Sequence, residues 1–158
     1  MTEIVTEGLP AEGPSEDKHL IFSIRDKYYA LPFKVVSEVA SLEKISPMPL
    51  TPNYVRGIVN RYSIPYALID IGFILHNEVS NIEKAIVLKE EIDKLVFLID
   101  DVTDIADILP ENIHKIEHEE NTIATSVNAF FNWNGNHVFC IDTEELIHKI
   151  KQDFDQEI

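Results

Sequence analysis

Gly57-Ile58-Val59-Asn60-Arg61-Tyr62-Ser63-Ile64-Pro65-Tyr66-Ala67-Leu68-Ile69-Asp70 is the stretch on which the reading of the whole chain turns. Ile58 to Asn60 form a β-rich run leaving a glycine, Arg61 to Pro65 are turn-like, and Tyr66 to Ile69 form a second apolar run. This is the pattern of a hairpin. Asp70 precedes Ile71-Gly72-Phe73-Ile74-Leu75, where its carboxylate can accept hydrogen bonds from the free amides that open a short helix. Asn60, Arg61 and Tyr62 bring no base or nucleophile in a catalytic arrangement, so the segment reads as a surface.

Working outward, His19 to Ile24 and Tyr28 to Leu31, joined at Asp26-Lys27, predict an earlier hairpin. Lys34 to Leu42 pass from a helical turn into a strand, and Pro47, Pro49 and Pro52 hold the following segment extended. Downstream, Ala85 to Leu88 and Leu95 to Ile99 are strands, the second apolar enough to be buried on both faces. Ala124 to Phe131 and His137 to Ile141 flank Asn134-Gly135, which supplies the positive φ values of a tight hairpin turn. Asp142 with Glu145 makes a capping-box pattern, and Leu146, Ile147, Ile150 and Phe154 fall on one face of the helix it starts. Residues 1–17, with Pro10, Pro14 and five acids, read as a disordered acidic tail.

The two halves repeat. Val36-Ser37-Glu38-Val39-Ala40 returns as Val102-Thr103-Asp104-Ile105-Ala106, 66 residues later. Ala67-Leu68-Ile69-Asp70 returns as Phe139-Cys140-Ile141-Asp142, 72 residues later, each before a helix. About five short strands per unit suit a small closed barrel filled by its own side chains. The predicted architecture is mostly β: two small barrels related by duplication, a first lobe at about 18–76, a second at about 82–142, and a C-terminal helix over 143–155.

Composition bounds the function. The chain has 158 residues, 45% of them hydrophobic, enough to bury about 70% of the unfolded surface without staples. Cys140 is its single cysteine, which excludes an internal disulfide and suits a reducing compartment. No apolar run approaches the roughly 20 residues of a membrane-spanning helix, and a cytoplasmic location is expected. Seven basic and nine acidic residues lie through Asp70, six and nineteen beyond it, so the second half carries most of the net charge of −15. That charge repels nucleic-acid phosphates and anionic lipid and leaves a protein as the natural partner.

Tyr29-Ala30, Val36-Ser37-Glu38-Val39, Pro52, Gly57-Ile58-Val59-Asn60, Leu68-Ile69-Asp70 and Phe97-Leu98-Ile99-Asp100-Asp101-Val102 together resemble the CheW family of chemotaxis coupling proteins, from about His19 to Lys149. The resemblance implies two five-stranded SH3-like barrels and no catalytic activity or cofactor. It also implies two partners, the regulatory domain of a CheA-type histidine kinase and the cytoplasmic hairpin tip of a chemoreceptor; the chain is expected to be a monomer alone and part of a larger array with them. By position in the family, Val36, Glu38, Val39, Ile58, Asn60 and Tyr62 are expected near the partner contact, and Arg56 and Arg61 supply steering charge. The family pattern Gly-x-x-Asn-Leu-Arg-Gly is altered here to Arg61, Tyr62 and Ser63, with Ala67 at a family proline. Tyr62 thus stands where the family arginine contacts partners, and Ser63 disfavours the positive φ of the family glycine. A scaffold that has lost receptor coupling, acting as competitor or spacer, is the alternative.

Each candidate also has a plainer role. Glu38 on a short strand is expected to be exposed, where solvation explains it as well as binding does. Asp70 and Asp142 read as helix caps, not as a catalytic pair. His114 and His118 have i, i+4 spacing that could hold a metal on a helix, but no third ligand follows, and a metal-dependent regulator is the least favoured function. Asp100, Asp101, Asp104 and Asp107 lack the glycine and terminal glutamate of a calcium loop. Cys140 reads as a small core residue. Trp133 is expected to pack back on its barrel, with a partner contact as the alternative.

Overall fold

The computed structural model describes residues 2–6, 17–42, 45–81, 83–116 and 126–156. Its strands are β1 (Thr2–Thr6), β2 (Lys18–Ile24), β3 (Lys27–Pro32), β4 (Val36–Leu42), β5 (Val55–Arg61) and β6 (Ile64–Ile69), followed by helix α1 (Ile71–His76). Then come β7 (Lys84–Leu88), β8 (Leu95–Ile99), β9 (Asp101–Asp107), β10 (His114–Lys115), β11 (Val127–Trp133) and β12 (Asn136–Ile141), and helix α2 (Thr143–Gln156). Two sheets result. One closes as a barrel in the order β1-β4-β7-β8-β6-β5, and the other runs β10-β11-β12-β3-β2-β9.

The register makes the duplication a structural fact. In the first sheet β4 meets β7 as Val36↔Leu88, Glu38↔Val87 and Val39↔Ile86; in the second, β9 meets β2 as Val102↔Phe22, Asp104↔Ile21 and Ile105↔Leu20. Leu68↔Val96 on parallel strands β6 and β8 has its counterpart in Cys140↔Ala30 on β12 and β3. Even the bulges coincide, between Val55 and Gly57 in one hairpin and between Val127 and Ala129 in the other. Every pair is related by the 66- and 72-residue offsets.

The expectation that each lobe is a contiguous half is overturned. Hairpin β2–β3, from the first half, completes the second sheet, and hairpin β7–β8, from the second half, completes the first. The halves have exchanged hairpins. Repeat spacing could not show this, because exchange preserves every local pattern and changes only which copy supplies the partner strand. Among the described residues each sheet has six strands where five were expected, the additional ones being β1 and β10. For β1 this overturns the tail over Thr2–Thr6, which pairs antiparallel with β4 and parallel with β5; residues 7–16 lie outside the described residues. The β-formers Thr2, Ile4, Val5 and Thr6 favour a strand there, a signal that the flanking acids and prolines obscured.

Exchange explains the apolar strands. Phe97 and Ile99 of β8 join the central core while Val96 and Leu98 fill the barrel interior. In the same way Leu20 and Phe22 of β2 face the central core, and Ile21 packs within the second sheet. A strand buried on both faces needs apolar residues at consecutive positions, not alternating ones. Leu146 and Ile150 of α2 bury against the central core, as the helical pattern predicts.

Candidate functional site

Hairpin β5–β6 carries the site, and the first residue of the deciding stretch sets its shape. Gly57 has φ of 142°, and a Cβ there would collide with the carbonyl oxygen of Ser46 and the side chain of Ile45. Its absence lets the Ser46 segment bond to β5 in both directions, through Ser46 and Ile58. At the other end Asp70 is fully buried. Its Oδ1 accepts the Phe73 amide at 3.0 Å as the α1 cap, and its Oδ2 accepts the Ser80 amide at 2.9 Å and Arg56 Nη1 at 3.1 Å. Arg56 also donates to the Ser80 carbonyl. Its charge is thus committed to anchoring β5 on α1, in place of the steering role expected of it.

The tip is a two-residue turn with φ of 50° at Tyr62 and 66° at Ser63. This left-handed geometry costs an L residue about 1–2 kcal/mol, and sequence reasoning counted Ser63 against it. The strand twist imposes it nonetheless, because hairpins this tight require that turn. Tyr62 is 78% exposed. Beneath it, Arg61 lies with its guanidinium carbon 5.1 Å from the Tyr62 ring centroid. Arg61 Nε donates to Glu38 Oε1 at 2.7 Å, Nη2 to Ser37 Oγ at 2.8 Å and Nη1 to the Tyr66 hydroxyl at 3.4 Å. Burial pulls the Arg61 pKa down, but the hydrogen bonds and charges of Glu38 and Tyr66 outweigh it and the net shift is upward. The guanidinium stays charged and fixed.

The expected contact residues separate accordingly. Glu38 is buried, 7% exposed, and its solvated reading is corrected: it is the inward partner of Arg61. Val36 and Val39, expected at the contact, are core residues at 3% and 4% exposure. Their strand carries a bulge between Val36 and Glu38, which breaks the simple alternation. Ile58, Asn60, Arg61 and Tyr62 remain on one hairpin, and of these Tyr62 is the exposed one.

Sequence reasoning missed a groove beside this hairpin. Met48, Ile58, Pro65 and Ala67 form one wall, Ile150 and Phe154 of α2 the other, and the cavity measures about 480 Å³. An ion pair from Lys151 to Asp93, 3.3 Å long, lies at its rim. The half-exposed apolar positions of β5 and β6 were a signal for it, but the apolar stripe of α2 gave no hint of which sheet it would meet.

The remaining candidates have structural roles. Asp142 Oδ1 accepts the Glu145 amide, and its Oδ2 accepts Asn128 Nδ2 at 3.1 Å. Trp133 packs edge-on against Tyr28. Burial pushes the Cys140 thiol up to about 11, which keeps it protonated and unreactive. His114 lies beside the Phe130 ring, while His118 is outside the described residues. Among the described residues, no three His, Cys, Asp or Glu side chains are placed to hold a metal ion, and no helix is long and apolar enough to cross a membrane.

Comparison with known proteins agrees with this fold. The scaffolding protein TtCheW from Thermoanaerobacter tengcongensis, known from a crystal structure, superposes with a TM-score of 0.71 at 21% identity, over 80% of this chain and 89% of that one. No curated protein matches by sequence. The family model for the CheW-like domain matches residues 18–151, and the chain therefore belongs to the CheW-like family of chemotaxis scaffold proteins.

Proposed function

We propose that this chain is a cytoplasmic, non-enzymatic adaptor that joins the regulatory domain of a CheA-like histidine kinase to the cytoplasmic tip of a chemoreceptor. The observation that carries this reading is Tyr62, a large ring held exposed at a strained turn and backed by an immobilised arginine. Strain concentrates where function maintains it, and exposed aromatics on a fixed base make good contact anchors. The kinase domain meets the Asn60–Tyr62 tip. The groove between β5–β6 and α2 suits one apolar face of a receptor helix.

Calorimetric titration of the kinase regulatory domain from the same organism, at two salt concentrations, tests this. Micromolar or tighter binding, weakened at least about tenfold by Tyr62→Ala as for an interface anchor, supports it. A folded sample that binds no resident kinase domain sinks it. One feature favours the spacer reading in that event: Arg61 is turned inward to Glu38 and Ser37, so no arginine is offered at the tip.

A further inference from the structure

The structure points to a site outside this function, the slot that β1 fills. In the strand order of the first sheet β1 stands between β4 and β5, pairing as Val5↔Ser41 on one side and Glu3↔Asn60 on the other. Without β1, both strands present unpaired backbone groups, a template for any extended chain. The duplicate edge in the second lobe is managed differently. There β9 ends the sheet, and the carboxylates of Asp101 and Asp104 take the amides of Val102 and Ile105 at 2.9 and 2.8 Å, so the end strand is blunted by its own side chains. The β4 edge has Val35 and Glu38 at the matching positions, and Glu38 is turned to Arg61. It depends on an added strand for cover.

We propose that β1 is an exchangeable strand, and that the β4–β5 slot of one copy accepts β1 of a second copy. The acceptor and the segment that fits it belong to the same chain, so a second copy brings a strand of matching register and length. Residues 7–17 join β1 to β2 and can span up to about 40 Å when extended, which is ample for reaching a neighbouring barrel. Reciprocal exchange makes a closed pair of chains without creating any new kind of contact.

The test uses the full chain with Cys140→Ser, which removes its only thiol. One preparation adds Val5→Cys and a second, distinguished by a mass tag, adds Ser41→Cys; these positions face each other across β1 and β4. Antiparallel partners lie within disulfide reach. The two preparations are unfolded together, refolded as a mixture over a range of concentrations, oxidised and weighed. Exchange yields a mixed disulfide between the two chains whose share of the total chain rises about tenfold for each tenfold increase in concentration while it is the minor species. The overturning result is a chain carrying both substitutions that closes its own disulfide at every concentration, with no mixed species from the pair. Failure of both disulfides in folded samples also overturns the proposal, since β1 then does not occupy the slot.

Discussion

Hairpins β5–β6 and β11–β12 occupy equivalent places in the two sheets, yet only one of them carries a candidate site. Their frameworks coincide: Arg56 and Asn128 each donate to the Oδ2 of the aspartate that caps the following helix, and the backbone amides of Asp70 and Asp142 bond to Tyr54 and Ser126. Their tips diverge. Asn134 and Gly135 adopt φ of 48° and 79° with the residues best suited to it, whereas Tyr62 and Ser63 hold the same turn under strain. Beside them Glu38 and Arg61 form an ion pair, but the corresponding residues, Asp104 and Trp133, cannot. What the copies share is scaffold, and what one copy alone maintains at a cost is the better guide to function.

The sharpest break in this comparison is at the bulge. Gly57→Ala forces a side chain into Ser46 and an unfavourable φ and is expected to cost about 4 kcal/mol. The reverse exchange, Ala129→Gly, should cost about 1 kcal/mol or less. Urea denaturation of both variants measures the gap; equal losses would show that Ser46 can retreat freely. The caps come next. Asp70→Ala strands the partly buried Arg56 as well as the α1 amides, an expected loss of about 3 kcal/mol, against about 1 kcal/mol for Asp142→Ala. Thermal melts of the pair separate a buried anchor from an ordinary cap.

Grafting the second tip onto the first sharpens the comparison further. Tyr62→Asn with Ser63→Gly should stabilise the chain by about 1–2 kcal/mol and weaken kinase-domain binding about tenfold or more. A graft that leaves binding intact would remove Tyr62 from the interface.

The smallest effect concerns His76, whose counterpart is His148. His76 Nε2 lies 2.8 Å from the Tyr29 hydroxyl, and burial first, then the charges of Lys27 and Arg25, lower its pKa. Its neutral form is the folded one, so its contribution is present above the ordinary histidine value and is lost as pH falls through the lowered one. His148 is exposed on α2. His76→Gln should flatten the melting temperature between neutral and mildly acidic pH by a small amount.

Much of this molecule was legible before its coordinates. The Asn134-Gly135 turn, the caps at Asp70 and Asp142 and the doubly buried β8 follow from local chemistry, and the repeat follows from matching it. The hairpin exchange was not legible, because no short-range signal records which half a strand pairs with. The site was half legible: Tyr62 stood out as a departure, but Val36 and Val39, expected at the contact by family position, lie in the core on a strand with a bulge. The Arg61–Glu38 pair joins strands that sequence spacing alone does not bring together.

The exchanged hairpins also constrain how the chain acquires its structure in time. As it is synthesised, β4, β5 and β6 are complete before β7 and β8 exist, and β2–β3 waits longer still for β9 and β12. Neither half can settle first and serve as a template for the other. Pairings this distant are entropically expensive to close and slow to form. The first sheet has all its strands only once Ile99 has been made, and the second waits for β12, so the β2–β3 hairpin, made early, is the last to find its partners.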